Sequence, residues 1–580
     1  MPSDSPAART KKTSTASAKQ ASAEGNVKDT VESILVAFIL AFIFRAFVVE
    51  AFVIPTGSMA PTLMGAHMHF RCPDCGYPFD VNFSIGNNDD VQIPDYARTL
   101  SNEYITYNGS PGSYKPTIHC PNCGREVPSA NPADPDNDAV APPVYYGDRI
   151  LVLKYLYLFQ APHRWDVVVF KAPVDRAKTN YSENYIKRLV GLPGETLVIL
   201  DGDVYVLDPV SGQFKIQRKP YSVQRDLWRI VYDNDFIPQG PPAGLVPTEP
   251  RAAPWVQPWT AETGDSGWAL TDAAGKPSRV FTFNNASGVG SLRFNADANP
   301  DTHALTDWLA YDQVGPNAPQ SNLYPVSDLK LDCFYDRRGG DGALKLELTK
   351  RQDTFTAEVL RGRARLLDTD SRNGKTTTLF DVPVPDLNGQ RPAQLEFANC
   401  DYRVWLRVNG KEVFATTDAM YHPDVQDLYS RWADVDALPR PRVRLLAQDQ
   451  QCRVEHLSLW HDIYYINHMQ RTMWATPEEP VNGIGGPIVL KSGPTKEYFV
   501  LGDNSPISGD ARMWTEPVHL PAEMLDAEAG RVPAEFMLGK AFFVYWPAGF
   551  RPFSKTIGIR YPILPNPGIV PDFGDMRSIH

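Results

Sequence analysis

Positive charge is in deficit. Lys and Arg number 57 against 68 Asp and Glu, leaving −11 over 580 residues. That balance argues against a nucleic-acid binder, whose phosphate partners call for a basic surface. Cysteine is sparse and unevenly used: of seven, four form two tight pairs, while Cys333, Cys400 and Cys452 stand alone. An odd total excludes a fully paired disulfide framework. Uninterrupted helical text is short too, because 52 prolines and 40 glycines punctuate the chain and favour loops and strands. What is present is enough apolar residue for globular domains, 43% with 22% charged. A chain of this length exceeds one core, and two to four domains are expected.

Residues 1 to about 26 are rich in Ser, Ala and Lys without an apolar period, and 1–30 reads as a disordered tail. Ser33 to Val49 is then almost continuously apolar, broken by Arg45; extended to Ile54 the run is 22 residues. A bilayer core needs about 20, so 31–50 is the expected transmembrane anchor. A cleaved signal peptide is the competing reading, opposed by the long polar leader and by Ser58-Met59-Ala60 as a poor cleavage context. Arg9, Lys11, Lys12, Lys19 and Lys28 precede the span, and no Lys or Arg follows Arg45 until Arg71. The N-terminus is therefore expected in the cytoplasm and the bulk of the chain outside.

Directly after the run comes Ile54-Pro55-Thr56-Gly57-Ser58-Met59-Ala60-Pro61-Thr62-Leu63. Two prolines bar helix, so the segment is extended or turning. Gly57 allows close approach of another group just before Ser58. On a strand, Thr56 and Ser58 would face one side, and a hydroxyl beside a nucleophile can donate to an oxyanion. The alternative is a plain Pro/Gly/Ser loop leaving a membrane helix.

Residues 66–144 hold Cys72-Pro73-Asp74-Cys75-Gly76 and Cys120-Pro121-Asn122-Cys123-Gly124. Two such knuckles resemble the halves of a zinc ribbon. Each bends two thiolates toward one point, and together they make a four-cysteine structural zinc site. Disulfides within each pair are the rival reading in an oxidising compartment.

From Tyr145 onward the text turns to strands: Gly147 to Leu153, Trp165 to Phe170, and Asn184 to Leu189. On the last, Tyr185, Lys187 and Leu189 share a face. A lysine on a core-facing surface loses hydration, its pKa falls, and the neutral amine becomes a general base. A solvated surface lysine is the bland alternative. Residues 205–480 change texture, with Trp, Pro, Asp and repeated turn signals, including an Asn409-Gly410 hairpin. They read as an inserted β-sandwich whose strand pattern resembles the concanavalin-like jelly rolls, with a protein or glycan as its ligand. The host resumes at Glu497 to Asn504, followed by Ser505-Pro506-Ile507-Ser508-Gly509-Asp510-Ala511-Arg512 and a late strand to Pro547. The parts are thus a catalytic domain split into 51–204 and 481–580 around the insertion.

In order, P-T-G-S-M-A-P-T-L, G-D-R-I-L-V, W-D-V-V-V-F-K, Y-I-K-R-L-V-G-L-P-G-E and G-D-N-S-x-x-S-x-D-A-R resemble the type I signal peptidases, membrane-anchored serine–lysine proteases. About a third of the chain carries this resemblance; the ribbon and the insertion do not. It implies a mainly β fold of coiled antiparallel sheets, a Ser58 nucleophile and a Lys187 general base. Thr56 Oγ and the Ser58 N–H would form the oxyanion hole. Met59 would support the strand beside the nucleophile, Ser508 would orient the lysine, and Asp510 with Arg512 would brace the site. Ala511 stands where the family usually has serine, and Trp165 where glycine is common. The implied substrates are preproteins cut after small residues, at the outer face of the inner membrane, with lipid as the other partner and no cofactor for catalysis. Two other classes compete: a non-catalytic membrane-anchored binding protein using ribbon and sandwich, and a self-cleaving serine–lysine regulator.

Overall fold

The computed structural model describes residues 29–40, 48–82, 118–127, 144–145, 147–174, 183–238, 254–262, 266–313, 323–387, 391–430, 439–467, 487–514, 516–520, 525–548 and 573–580. The expected tail falls outside them except for residues 29 and 30, which are helical, and most of 66–144 falls outside as well.

In chain order the first strands are β1 (Val49–Val53), β2 (Arg149–Leu153), β3 (Val167–Lys171), β4 (Asn184–Gly191), β5 (Thr196–Leu200), β6 (Asp203–Leu207) and β7 (Phe214–Ile216). They are followed by β8 (Pro277–Phe294), β9 (Leu329–Gly340), β10 (Val443–His461), β11 (Ile488–Val489), β12 (Glu497–Leu501) and β13 (Met537–Trp546). The protein is mainly β, as expected. One antiparallel sheet runs β1-β2-β13-β3-β4-β12 and ends on the short strand Val532–Pro533. It draws on the two host segments and holds every serine–lysine block of the sequence on or beside its strands.

The expected anchor needs correcting in part. Among the described residues no helix is long and apolar enough to cross a membrane. The described helix covers 29–40, while 41–47, with Arg45, lie outside the described residues. The apolar run does not continue as helix to Ile54. Val49–Val53 is strand β1, held in register with β2 from Val49 opposite Leu153 to Val53 opposite Arg149. A β-branched, aromatic stretch suits a pleated edge once a partner strand is available.

A second, four-stranded sheet, β7-β6-β5-β11, joins the host to the insertion. Strand β5 is apolar at every interior position because both its faces are covered. Leu197 and Ile199 pack into the host core beside Val168, Phe170 and Leu189. Val198 and Leu200 pack into the other core, beside Tyr205, Phe281 and Leu331.

That second core belongs to a network of thirteen strands. Its longest member, β10, pairs along its length with β8, β9, Leu344–Lys350 and Arg229–Asp233. The expected Asn-Gly hairpin is there: Asn409 and Gly410 sit at φ 50° and 75°, the left-handed pair that a two-residue hairpin turn requires.

Candidate active site

Ser58 lies in a single tight turn, Gly57–Met59, not on a strand. The prolines at 55 and 61 explain this, since neither can donate to a ladder and both fix φ. Thr56 is still extended, at φ −119° and ψ 160°, and leads into the turn. Met59 is fully buried and packs with Leu63, Ile150 and Val169, so it ties the turn to β2 and β3. The turn is pinned at both ends by Asp148: its carbonyl accepts from Ile54 N at 2.9 Å and its carboxylate from Met64 N at 3.0 Å.

Strand alternation on β4 sends Lys187 and Arg188 to opposite sides. Lys187 is 4% exposed, and its Nζ lies 2.7 Å from Ser58 Oγ, with the Tyr185 ring 5.5 Å away. Two residues 129 apart in sequence thus form one hydroxyl–amine contact. On the other face, Arg188 makes a two-pronged contact with Asp503, 2.8 and 2.7 Å, and also donates to Trp165 O.

Asp510 and Arg512 are buried, not a solvated surface pair. Arg512 donates to both Asp510 oxygens at 2.8 and 2.7 Å and to the carbonyls of Ile466 and Ser505. Asp510 accepts from Gly502 N at 2.9 Å. Gly502 is the contact point of the assembly: a Cβ there would lie 2.1 Å from Ser508 Oγ and 2.4 Å from Ser58 O. Ser508 is therefore beside the nucleophile turn, and its buried hydroxyl makes no hydrogen bond.

The sequence reading missed Asn504. Its backbone N–H donates to Ser58 O at 3.1 Å and its side-chain amide to Gly57 O at 3.1 Å. It missed Asp148 and the Arg188–Asp503 pair as well; the adjacency of Asp503 and Asn504 to the recognised serine, aspartate and arginine was the available signal.

Trp165 has φ 75°, left-handed backbone that favours glycine. Its Nε1 donates to Arg218 O at 3.1 Å, and Lys219 Nζ sits 5.6 Å above the ring. The indole, which glycine lacks, thereby reaches the first part of the insertion.

The four knuckle cysteines also converge. Their Sγ atoms all lie within 4.8 Å of one another, with Cys72 to Cys123 at 3.6 Å and Cys75 to Cys120 at 3.7 Å. A tetrahedron with Zn–S near 2.3 Å has edges of about 3.8 Å, so the donor set fits zinc. The short contacts run between knuckles, whereas the rival disulfides would join sulfurs within each.

Residues 129–230 match the family described as signal peptidase, peptidase S26. This segment is similar to the signal peptidases. The chain is 35% identical to the probable signal peptidase I-2 of Synechocystis over 105 residues, 17% of this chain and 48% of that one. The signal peptidase I of Leptolyngbya laminosa is 36% identical over 87 residues, 14% and 42% of the two chains. That of Rickettsia typhi is 24% identical over 182 residues, 31% and 44%. The chain thus spans less than half the length of these curated relatives. Among solved structures, a carbohydrate binding module from Bacillus subtilis aligns over 35% of this chain and 94% of its own, at 11% identity and a TM-score of 0.21.

Proposed function

We propose that this protein is a serine endopeptidase that removes signal peptides from exported preproteins, with Ser58 as nucleophile and Lys187 as general base. The observation that carries the reading is the 2.7 Å contact between Lys187 Nζ and Ser58 Oγ, in a chain whose 129–230 segment matches the signal peptidase family. Burial strips Lys187 of the water that favours an ammonium. The neutral amine accepts the Ser58 proton, and Oγ attacks the carbonyl that follows a small residue. Thr56 Oγ and the Ser58 N–H receive the oxyanion. Lys187 then gives its proton to the leaving amine and draws one from the water that releases the acyl-enzyme.

The buried Asp510–Arg512 pair would brace the segment beside the Ser58 turn, and Ser508 would orient the Lys187 amine. Four cysteines, Cys72, Cys75, Cys120 and Cys123, would hold one structural zinc; four protein ligands leave no open position, so the metal would take no part in the chemistry. Residues 29–40 and the apolar stretch after them would anchor the chain, N-terminus in the cytoplasm. Ile34, Leu35, Phe38, Ile39 and Leu40 are all exposed on that helix, as suits a lipid contact. Leu158 and Phe159, 79% and 83% exposed, offer a second one beside β2. The lipid-facing tether keeps Ser58 close to the membrane, where signal peptides are presented.

The test is cleavage of a model preprotein in detergent. Ser58→Ala and Lys187→Ala should each abolish processing while circular dichroism stays at wild-type values. Turnover retained by either folded variant sinks the assignment.

A further inference from the structure

The insertion reaches the nucleophile. Three consecutive residues, Tyr311, Asp312 and Gln313, touch three separate parts of the molecule. Tyr311 is buried against Ala60 and Met64 and lies directly over Gly57. A Cβ on Gly57 would fall 2.3 Å from Tyr311 Cε1. Gly57 has no left-handed backbone; its missing side chain is used for space, so that the ring can lie against the turn.

Asp312 Oδ1 accepts from the Asn504 amide at 2.8 Å. The same amide nitrogen donates to Gly57 O at 3.1 Å, one hydrogen for each acceptor. Asn504 Oδ1 makes no hydrogen bond, so these two acceptors alone set which way the amide faces. Reversed, it would aim an oxygen at two oxygens in a site where Asp312 and Asn504 are both buried. Without Asp312, half of that constraint is gone.

Gln313 closes the third contact. Its Oε1 accepts from His119 N at 2.7 Å and its Nε2 donates to His119 O at 2.9 Å, directly before Cys120. The second cysteine knuckle and the Ser58 turn are thus held by neighbouring residues of one short segment.

We propose that Tyr311, Asp312 and Gln313 are positioning residues for Ser58, making the insertion a structural part of the active site. This rests on the reading of Ser58 as nucleophile. None of the three touches the reacting atoms: Asp312 acts through Asn504 and Tyr311 through Gly57. Displacing a nucleophile by about 1 Å costs on the order of 10²-fold in rate, and a fall of that size in kcat is expected for Asp312→Ala, with KM within about threefold. Asp312→Asn keeps an oxygen acceptor for Asn504 and should recover most of the loss.

The experiment uses the full chain in detergent and reads two quantities for Asp312→Ala, Asp312→Asn and Ser58→Ala. One is kcat and KM on a model preprotein. The other is hydrogen exchange, by mass spectrometry, of peptides covering residues 54–64. Exchange in this stretch should rise at least tenfold in Asp312→Ala, stay near wild type in Asp312→Asn, and be unchanged in the inactive Ser58→Ala. Should Asp312→Ala fail to fold, Gln313→Ala gives the same reading, with faster exchange at both 54–64 and 118–123. Wild-type exchange at 54–64 in a folded Asp312→Ala or Gln313→Ala overturns the proposal, as does an undiminished kcat. Activity retained by Ser58→Ala would instead overturn the nucleophile assignment and leave the exchange result to decide this one.

Discussion

Arg188 and Asp503 form a fully buried, two-pronged ion pair, Nε to Oδ1 at 2.8 Å and Nη2 to Oδ2 at 2.7 Å. It ties β4, the strand that carries Lys187, to the loop that carries Asn504. Removing one partner leaves a buried charge with no counterpart, which costs about 3–5 kcal/mol. Arg188→Met should lose that much in urea unfolding at pH 7. Arg188→Met/Asp503→Leu should lose less, because no charge is stranded. A single-variant cost below about 1 kcal/mol would contradict this account.

Thr56 tests the proposed oxyanion hole separately from the proposed base. Thr56→Ala removes one hydroxyl from a half-buried shoulder of the turn and leaves Ser58 and Lys187 in place. A fall in kcat of about 10²–10³-fold is expected if that hydroxyl is one oxyanion donor, whereas Thr56→Ser should stay within about tenfold. Equal losses in the two variants would point to the methyl group, and hence to packing.

Asp312 predicts a pH dependence of stability. Burial pushes its pKa up to about 7, with Asp307 adding to the rise and the Asn504 hydrogen bond opposing it. The folded state therefore binds this proton more tightly than the unfolded chain does. The contribution to stability is fully present below about pH 4 and is lost as pH climbs to 7, by up to ~4 kcal/mol. Asp312→Asn cannot lose a proton. Its unfolding free energy should lie close to wild type at pH 4 and above it at pH 8. Parallel stability curves for the two proteins across this range would refute the assignment.

The cysteine cluster makes a prediction about metal. Purified protein should carry one zinc per chain, with sulfur neighbours near 2.3 Å by X-ray absorption. Chelation should speed hydrogen exchange at 118–127 before it affects preprotein cleavage. Absence of metal together with Cys72–Cys75 and Cys120–Cys123 disulfides by mass mapping would establish the rival chemistry.

Sequence made part of this arrangement legible for a local reason. Alternation along Asn184 to Leu189 is enough to put Lys187 on a core face, and prolines at 55 and 61 are enough to exclude helix around Ser58. Burial of Asp510 and Arg512 was not legible, because it depends on the Ile466 carbonyl arriving from 46 positions away. Tyr311 to Gln313 lie in an irregular stretch with no period to read, and their partners are hundreds of positions away. Trp165 looked like a tolerated departure; its left-handed backbone and its contacts with Arg218 and Lys219 show what the indole adds. The apolar run beyond Val48 misled, since a membrane span and a sheet-edge strand draw on the same residues.

The carbonyl of Gly57 is held by a residue 447 positions later in the chain. A ribosome must therefore finish the whole insertion and reach β12 before the loop that closes on Ser58 exists. A product truncated before residue 504 would lack both hydrogen bonds that Asn504 gives to the Ser58 turn, so completion of that turn waits on synthesis of most of the chain.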